Sequence, residues 1–215
     1  RDWVYGAIDG AVTTFAIVAG VVGAELSAGV VLALGAANLF ADGFSMAAAN
    51  YSGTRSEHDE RRRLHDVEAR HIQENPAGER REIREIFRAK GFEGDVLENI
   101  VAVVSSDRDL WIETMLAEEY GQPPVLRRPW AAAAATFAAF TVAGSAPLLP
   151  FVVLGGADAA AWALGLTAAT FFGVGAAKSR WSLTHWARSG GETLAIGLFT
   201  AGVAYGVGWL LRDIV

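Results

Sequence analysis

The sequence predicts an all-α, polytopic membrane protein with five transmembrane helices and an inserted cytoplasmic helical domain. Three observations carry that prediction. Hydrophobic residues make up 52% of the 215 positions, more than an ordinary soluble domain needs. The apolar residues gather into stretches of roughly 20, the length that crosses a hydrocarbon core. Charge is segregated: of the 42 charged residues, 30 fall between Arg55 and Arg128, so the two regions face different solvents.

The predicted spans run Val4–Leu26, Gly29–Tyr51, Trp130–Phe151, Ala157–Ala177 and Leu194–Leu211, each rich in Ala, Gly, Val, Leu and Phe. Transmembrane segments therefore occupy residues 1–53 and 127–215, and residues 54–126 form the inserted domain. Basic residues in short loops mark the cytoplasm. Lys178, Arg180 and Arg188 lie between spans four and five, and Arg127 and Arg128 precede span three. Both clusters put the inserted domain inside, with the N-terminus inside and the C-terminus outside. Trp3, Trp130, Trp181, Trp186 and Trp209 stand near span ends, where amphipathic rings favour the headgroup level. Gly6/Gly10 and Gly202/Gly206 have the Gly-x-x-x-Gly spacing of close helix contacts, which fits a dimer or internal packing equally.

Within residues 54–126, punctuation predicts four helices. Arg55–Glu74 is a charged helix. Asn75-Pro76 supplies an N-cap and a first-position proline for the next, which stops at Gly91. Val96–Val104 has helical apolar spacing, and Asp107 caps a fourth helix that ends before Gly121-Gln122-Pro123-Pro124.

Several function classes are disfavoured. A net charge of -6, with acids and bases interleaved, does not suit a nucleic-acid partner. With no cysteine, disulfides, thiolate metal sites and cysteine nucleophiles are excluded. Glu68-Ala-Arg-His71 is a Glu-x-x-His, but His58, His65 and His185 have no Glu three residues before them, so a paired di-iron motif is missing. No Ser-His-Asp order, phosphate loop or zinc signature is present, and the chain is predicted not to be an enzyme and to hold no prosthetic group.

The candidate chemistry lies in two places. Ionisable residues within a span cost about 3 kcal/mol near the helix centre, so they are functional candidates. Asp9 lies in span one. Asn38, Asp42 and Met46 are each four apart in span two and line one helical stripe. Oxygen ligands suit hard divalent ions and a thioether suits softer ones, so the mixture points to a borderline transition metal; packing at an interface is the alternative. In the inserted domain, Glu68, His71 and Glu74 are spaced by three on one helix and Glu79, Glu82 and Glu85 on the next. A hairpin at Asn75-Pro76 would bring them together, and Met115 with Glu119 adds a pair four apart. Arg81, Arg84 and Arg88 interleave with these glutamates, which fits a solvated face with Arg81/Glu85 and Glu85/Arg88 ion pairs.

These stretches resemble the vacuolar iron transporter family, proton-coupled ferrous and manganese transporters also found in bacteria. The matching pieces are Asp9-Gly10, Ala41-Asp-Gly-Phe-Ser-Met46-Ala-Ala-Ala-Asn-Tyr51, Glu74-Asn-Pro76 before Glu79, Glu82 and Glu85, and Ile86-Phe-Arg-Ala-Lys-Gly91. The resemblance implies five spans and a homodimer with its pathway at the dimer interface. It implies a cytoplasmic domain whose glutamates bind metal near the pathway's mouth, and pathway ligands at Asp9 and Met46. Plant-type members carry glutamate where this chain has Asn38 and His71, and a Met-Glu pair where it has Met115-Leu116.

The resulting expectation is export of Fe2+ or Mn2+ from the cytosol by proton antiport. Divalent metal ions, protons, the lipid bilayer and a second copy are its partners, in a bacterial plasma membrane or a vacuolar or other organelle membrane. Two alternatives stay open: a membrane-anchored iron sensor or storage protein, and a di-iron ferroxidase built on Glu68, His71, Glu82 and Glu85.

Overall fold

A computed structural model describes residues 2–123, 126–154 and 158–214. The predicted start of span four at Ala157 and the Pro124 of the Gly121–Pro124 stop lie outside these. Every regular element among the described residues is helical. The chain divides into two units, one comprising the residues up to Tyr51 and from Pro129 onward, the other Ser52–Arg128.

In the first unit, α6 (Pro129–Ser145), α8 (Asp158–Lys178) and α9 (Trp186–Leu211) pack on α1 (Asp2–Gly23), α7 (Leu149–Val153) packs on α8, and the opening part of α2 (Ala28–Glu74) adds Val31 and Leu39 to the same core. Small residues make this possible. A Cβ added at Gly6 or Gly10 would sit 2.3 Å from the carbonyl oxygen of Thr136 or Phe140, and one at Gly208 would sit 2.0 Å from that of Gly20. Helices α6 and α9 therefore approach α1 backbone to backbone, where dispersion contacts are dense. Gly6/Gly10 is thus an internal contact, whereas Gly202 and Gly206 have nothing within 4 Å. Phe140 and Phe171 fill the centre, fully buried among Ala11, Phe15 and Val18.

The outer surface is apolar: Val142 and Phe199 are 76% and 75% exposed, which suits lipid rather than water. Four helical stretches among the described residues are long and apolar enough to cross a membrane: Asp2–Gly23, Ala28–Glu74, Asp158–Trp181 and Trp186–Leu211.

Three sequence expectations are corrected. The predicted third span, Trp130–Phe151, is broken. Helix α6 has 17 residues and ends at Ser145, a turn covers Ala146–Leu148, and α7 follows with 5. Pro147 has no N–H and disfavours helical geometry at Ala146, so the ladder stops there. The predicted separate helix Arg55–Glu74 is instead the continuation of α2, which runs unbroken for 47 residues. Nothing between Tyr51 and Arg55 breaks it, because Gly53 alone costs only about 1 kcal/mol. The last span starts at Trp186 rather than Leu194, with Arg188 and Glu192 paired at 3.1 Å on its first turns.

The second unit contains the end of α2, then α3 (Pro76–Ala89), α4 (Gly94–Ser106) and α5 (Arg108–Glu118). Asn75 caps α3 by accepting from the Gly78 N–H at 3.1 Å, and Pro76 opens it. Gly91, at φ +92, supplies the left-handed residue that ends α3. Asp107 caps α5 by accepting from the N–H groups of Asp109 and Leu110. Ile83, Leu97, Val101, Val104, Trp111 and Met115 form the core of this unit.

Candidate metal centre

The hairpin at Asn75-Pro76 positions the site. Glu68 and His71 lie three apart on one face of α2, and the reversal sets Glu79, in the first turn of α3, against them. His71 Nδ1 lies 3.5 Å from Glu68 Oε1 and 3.8 Å from Glu79 Oε1. One ligand atom from each residue falls within 4.8 Å of the other two. Ligands about 2.0–2.6 Å from one ion have that separation. No other group of three such ligands occurs among the described residues.

Burial makes the arrangement unusual. Glu68 is fully buried and Glu79 is 5% exposed, and the Oε2 of each is buried without a hydrogen-bond partner. An unpartnered buried carboxylate oxygen is costly, so it points to a cation. Burial, then the charges of Glu82 and Glu68, push the Glu79 carboxyl up to about 7, with Glu119 adding and His71 opposing. Glu119 is raised by burial and by Glu68 and Glu82. Glu68 and Glu79 therefore flank one imidazole, with the exposed Glu82 and Glu119 adding negative charge nearby.

The neighbouring arginines make their contacts away from Glu68 and Glu79, and the expected Glu85/Arg88 pair is present. Arg84 donates twice to Glu98, both at 2.7 Å. Arg88 pairs with Glu85. Arg80 donates to Ser105 and lies over the Trp111 ring, 5.4 Å from its centroid. The solvated-face reading thus holds for Glu85, which is exposed in an ion pair, and not for Glu68 or Glu79. Glu74 is exposed at the end of α2. Met115 is fully buried in the apolar core.

Tyr120 was not anticipated. Its hydroxyl donates to Glu68 Oε1 at 2.8 Å, and burial with the Glu68 and Glu119 carboxylates raises its own ionisation above the usual phenol value. The only sequence signal was its place next to Glu119, because its partner is 52 residues away.

In the first unit, Asp9 is half-buried on α1, and Thr13 donates to its carbonyl at 2.8 Å. The Asn38 amide on α2 donates to the hydroxyls of Thr13 and Thr14 at 3.4 and 3.5 Å. Asp42, one turn on, is exposed and close enough for its charge to act on Asp9. Met46 is half-buried against the core. The α1–α2 flank thus assembles the two carboxylates and the amide, with the thioether one turn further along α2.

A family model described as the VIT family matches residues 1–209. The chain belongs to the VIT family. Similar curated proteins include "Vacuolar iron transporter 1" of Arabidopsis thaliana, 30% identical over 95% of this chain and 83% of the relative. "Vacuolar iron transporter 2" of Oryza sativa subsp. japonica is 30% identical over 100% and 88%. "Vacuolar iron transporter" of Toxoplasma gondii is 32% identical over 99% and 74%. With its four apolar helices, this VIT-family chain is a membrane protein.

Proposed function

We propose that the chain exports ferrous iron or manganese from the cytosol in exchange for protons, as a homodimer, with Ser52–Arg128 as a cytoplasmic unit that captures the metal. The observation that carries this reading is the Glu68–His71–Glu79 cluster, whose two buried oxygens lack partners. Three vacuolar iron transporters similar over nearly the whole chain support the same cargo.

The residues suggest a sequence of steps. Mixed carboxylate and imidazole ligands suit a borderline divalent ion over magnesium, whose preferred ligands are oxygens alone. Binding displaces the proton that Glu79 holds near neutral pH. In the membrane, Asp9 and Asp42 supply charge, Met46 a soft ligand and Asn38 a neutral oxygen. Weak, successive coordination suits conduction, since an ion must leave as readily as it enters. Asp9 and Asp42 then take up protons from the opposite side.

Five crossings follow if α6 and α7 together make the third. Arg127, Arg128, Lys178, Arg180 and Arg188 then mark the cytoplasmic side. The membrane is a bacterial plasma membrane or a vacuolar or other organelle membrane. A second copy accounts for the exposure of α2: Asp42 is exposed beside Phe40 and Phe44, at 64% and 70%. A carboxylate facing lipid costs about 3 kcal/mol at the membrane centre, and a facing protomer removes that cost.

The test is flux of Fe2+ or Mn2+ into proteoliposomes with a pH-sensitive dye inside. Metal uptake with opposite proton movement is expected. Saturable metal binding without flux would contradict transport and leave a sensor or store.

A further inference from the structure

A second site lies on a different face of α2, and its chemistry has the opposite sign. A cleft of about 530 Å³ is lined by His58, Arg61, Arg62, His65, Asp66 and Leu126. Positions 58, 61, 62 and 65 recur at helical spacing, so one stripe of α2 carries two guanidiniums and two imidazoles. Acids offset part of this stripe, since Glu113 pairs with Arg61 and Asp66 lies 3.7 Å from His65, which leaves Arg62 as its uncompensated charge. Asp66 alone lines the cleft, while Glu57 pairs with Arg127 at 3.0 Å and Asp59 with Arg55 at 3.4 Å.

The side chains are set in place. Arg61 is only 14% exposed; it donates to the Pro123 carbonyl at 3.0 Å and to Glu113. Those contacts hold the guanidinium fork still and use two of its five N–H groups, leaving the others for a ligand. His58 Nε2 donates to the Arg127 carbonyl at 2.7 Å, which ties the loop before α6 to the cleft wall. Arg62 is exposed and has no ion pair among the described residues.

A metal does not suit this cleft. His58 and His65 are two turns apart, about 10 Å along the helix, and the uncompensated Arg62 guanidinium repels a cation. We propose that the cleft binds a phosphate-bearing anion, gripped by Arg61 and Arg62 and flanked by His58 and His65. Guanidinium groups match phosphate oxygens in geometry as well as charge. The volume suits a small phosphorylated molecule or a lipid headgroup, and both sources share that phosphate chemistry. This site stands apart from the metal reading, since it uses none of the candidate metal ligands.

The test is calorimetric titration of the purified full chain in uncharged detergent, first with inorganic phosphate and then with dihexanoyl phosphatidic acid. Arg62→Gln, Arg62→Gln/His65→Gln and, as a control outside the cleft, Arg63→Gln are compared with wild type. Saturable binding is expected, weakened about tenfold or more by the double substitution and less by Arg62→Gln alone. Arg63→Gln should bind as wild type, and Mn2+ binding should stay unchanged in all three. Binding of inorganic phosphate assigns a free phosphate; binding of the phosphatidic acid alone assigns a lipid headgroup. No saturable binding of either, or equal binding by all the proteins, would overturn the proposal.

Discussion

Tyr120 donates its hydroxyl to Glu68 Oε1 at 2.8 Å, while Glu68 Oε2 stays buried without a partner. One oxygen of the carboxylate is thus held by the fold, and in the proposed reading the other binds a cation. Glu68→Gln keeps an acceptor for Tyr120 and removes the buried charge. Divalent metal affinity should fall by at least about tenfold, while the metal-free protein melts higher, by the equivalent of about 1–3 kcal/mol. Calorimetry and melting of the two proteins check both. A lower melting temperature would contradict the idea that Glu68 is uncompensated.

Tyr120→Phe tests the positioning itself. The Glu68 carboxylate loses its donor, so metal affinity should drop about tenfold with a stability loss of about 1–2 kcal/mol. Unchanged affinity would make the tyrosine a packing residue only.

The pH dependence follows from Glu79, whose carboxyl is raised from 4.5 to about 7. A raised value means the fold prefers the protonated acid. Its contribution to metal-free stability is complete below about pH 4.5 and is lost as pH climbs through 7, amounting to about 3 kcal/mol. Metal must displace that proton, so affinity should rise about tenfold per pH unit up to 7 and then level. Glu79→Gln should flatten the stability profile between pH 4.5 and 7, as read by melting across that range.

Adding metal at pH 7 should therefore raise the melting temperature, and chelation should reverse it. At a hundred times the dissociation constant the gain is about 2.7 kcal/mol. Glu85→Gln is the control, because Glu85 pairs with Arg88 and should leave the metal-induced shift intact.

The glycines separate internal packing from the outer face. Gly10→Val puts a Cβ 2.3 Å from the Phe140 carbonyl and should destabilise by about 3 kcal/mol. Gly202→Val has nothing within 4 Å and should leave the protomer's melting unchanged. Similar losses from both would contradict the packing around α1.

Much of this was legible in the sequence because two solvents leave different marks. The apolar stretches marked the four long apolar helices, and Asn75, Pro76, Gly91 and Asp107 punctuated the second unit through local chemistry that needs no tertiary context. The breaks were less legible. Pro147 lies inside an otherwise apolar run, and hydropathy averages over it. The continuity of α2 past Tyr51 was hidden because the polarity changes there and the backbone does not. At the metal centre, spacing named Glu68, His71 and Glu79 but could not say where the arginines point. That depended on Glu98, from another helix, taking Arg84. Tyr120 left only its place beside Glu119, because its partner Glu68 is 52 residues away.

The most direct test of the metal centre is anomalous scattering from crystals of the full chain soaked in Fe2+ or Mn2+. A peak within coordination distance of Glu68, His71 and Glu79 is expected, lost in Glu68→Gln/Glu79→Gln. Peaks elsewhere with none at this cluster would contradict the account.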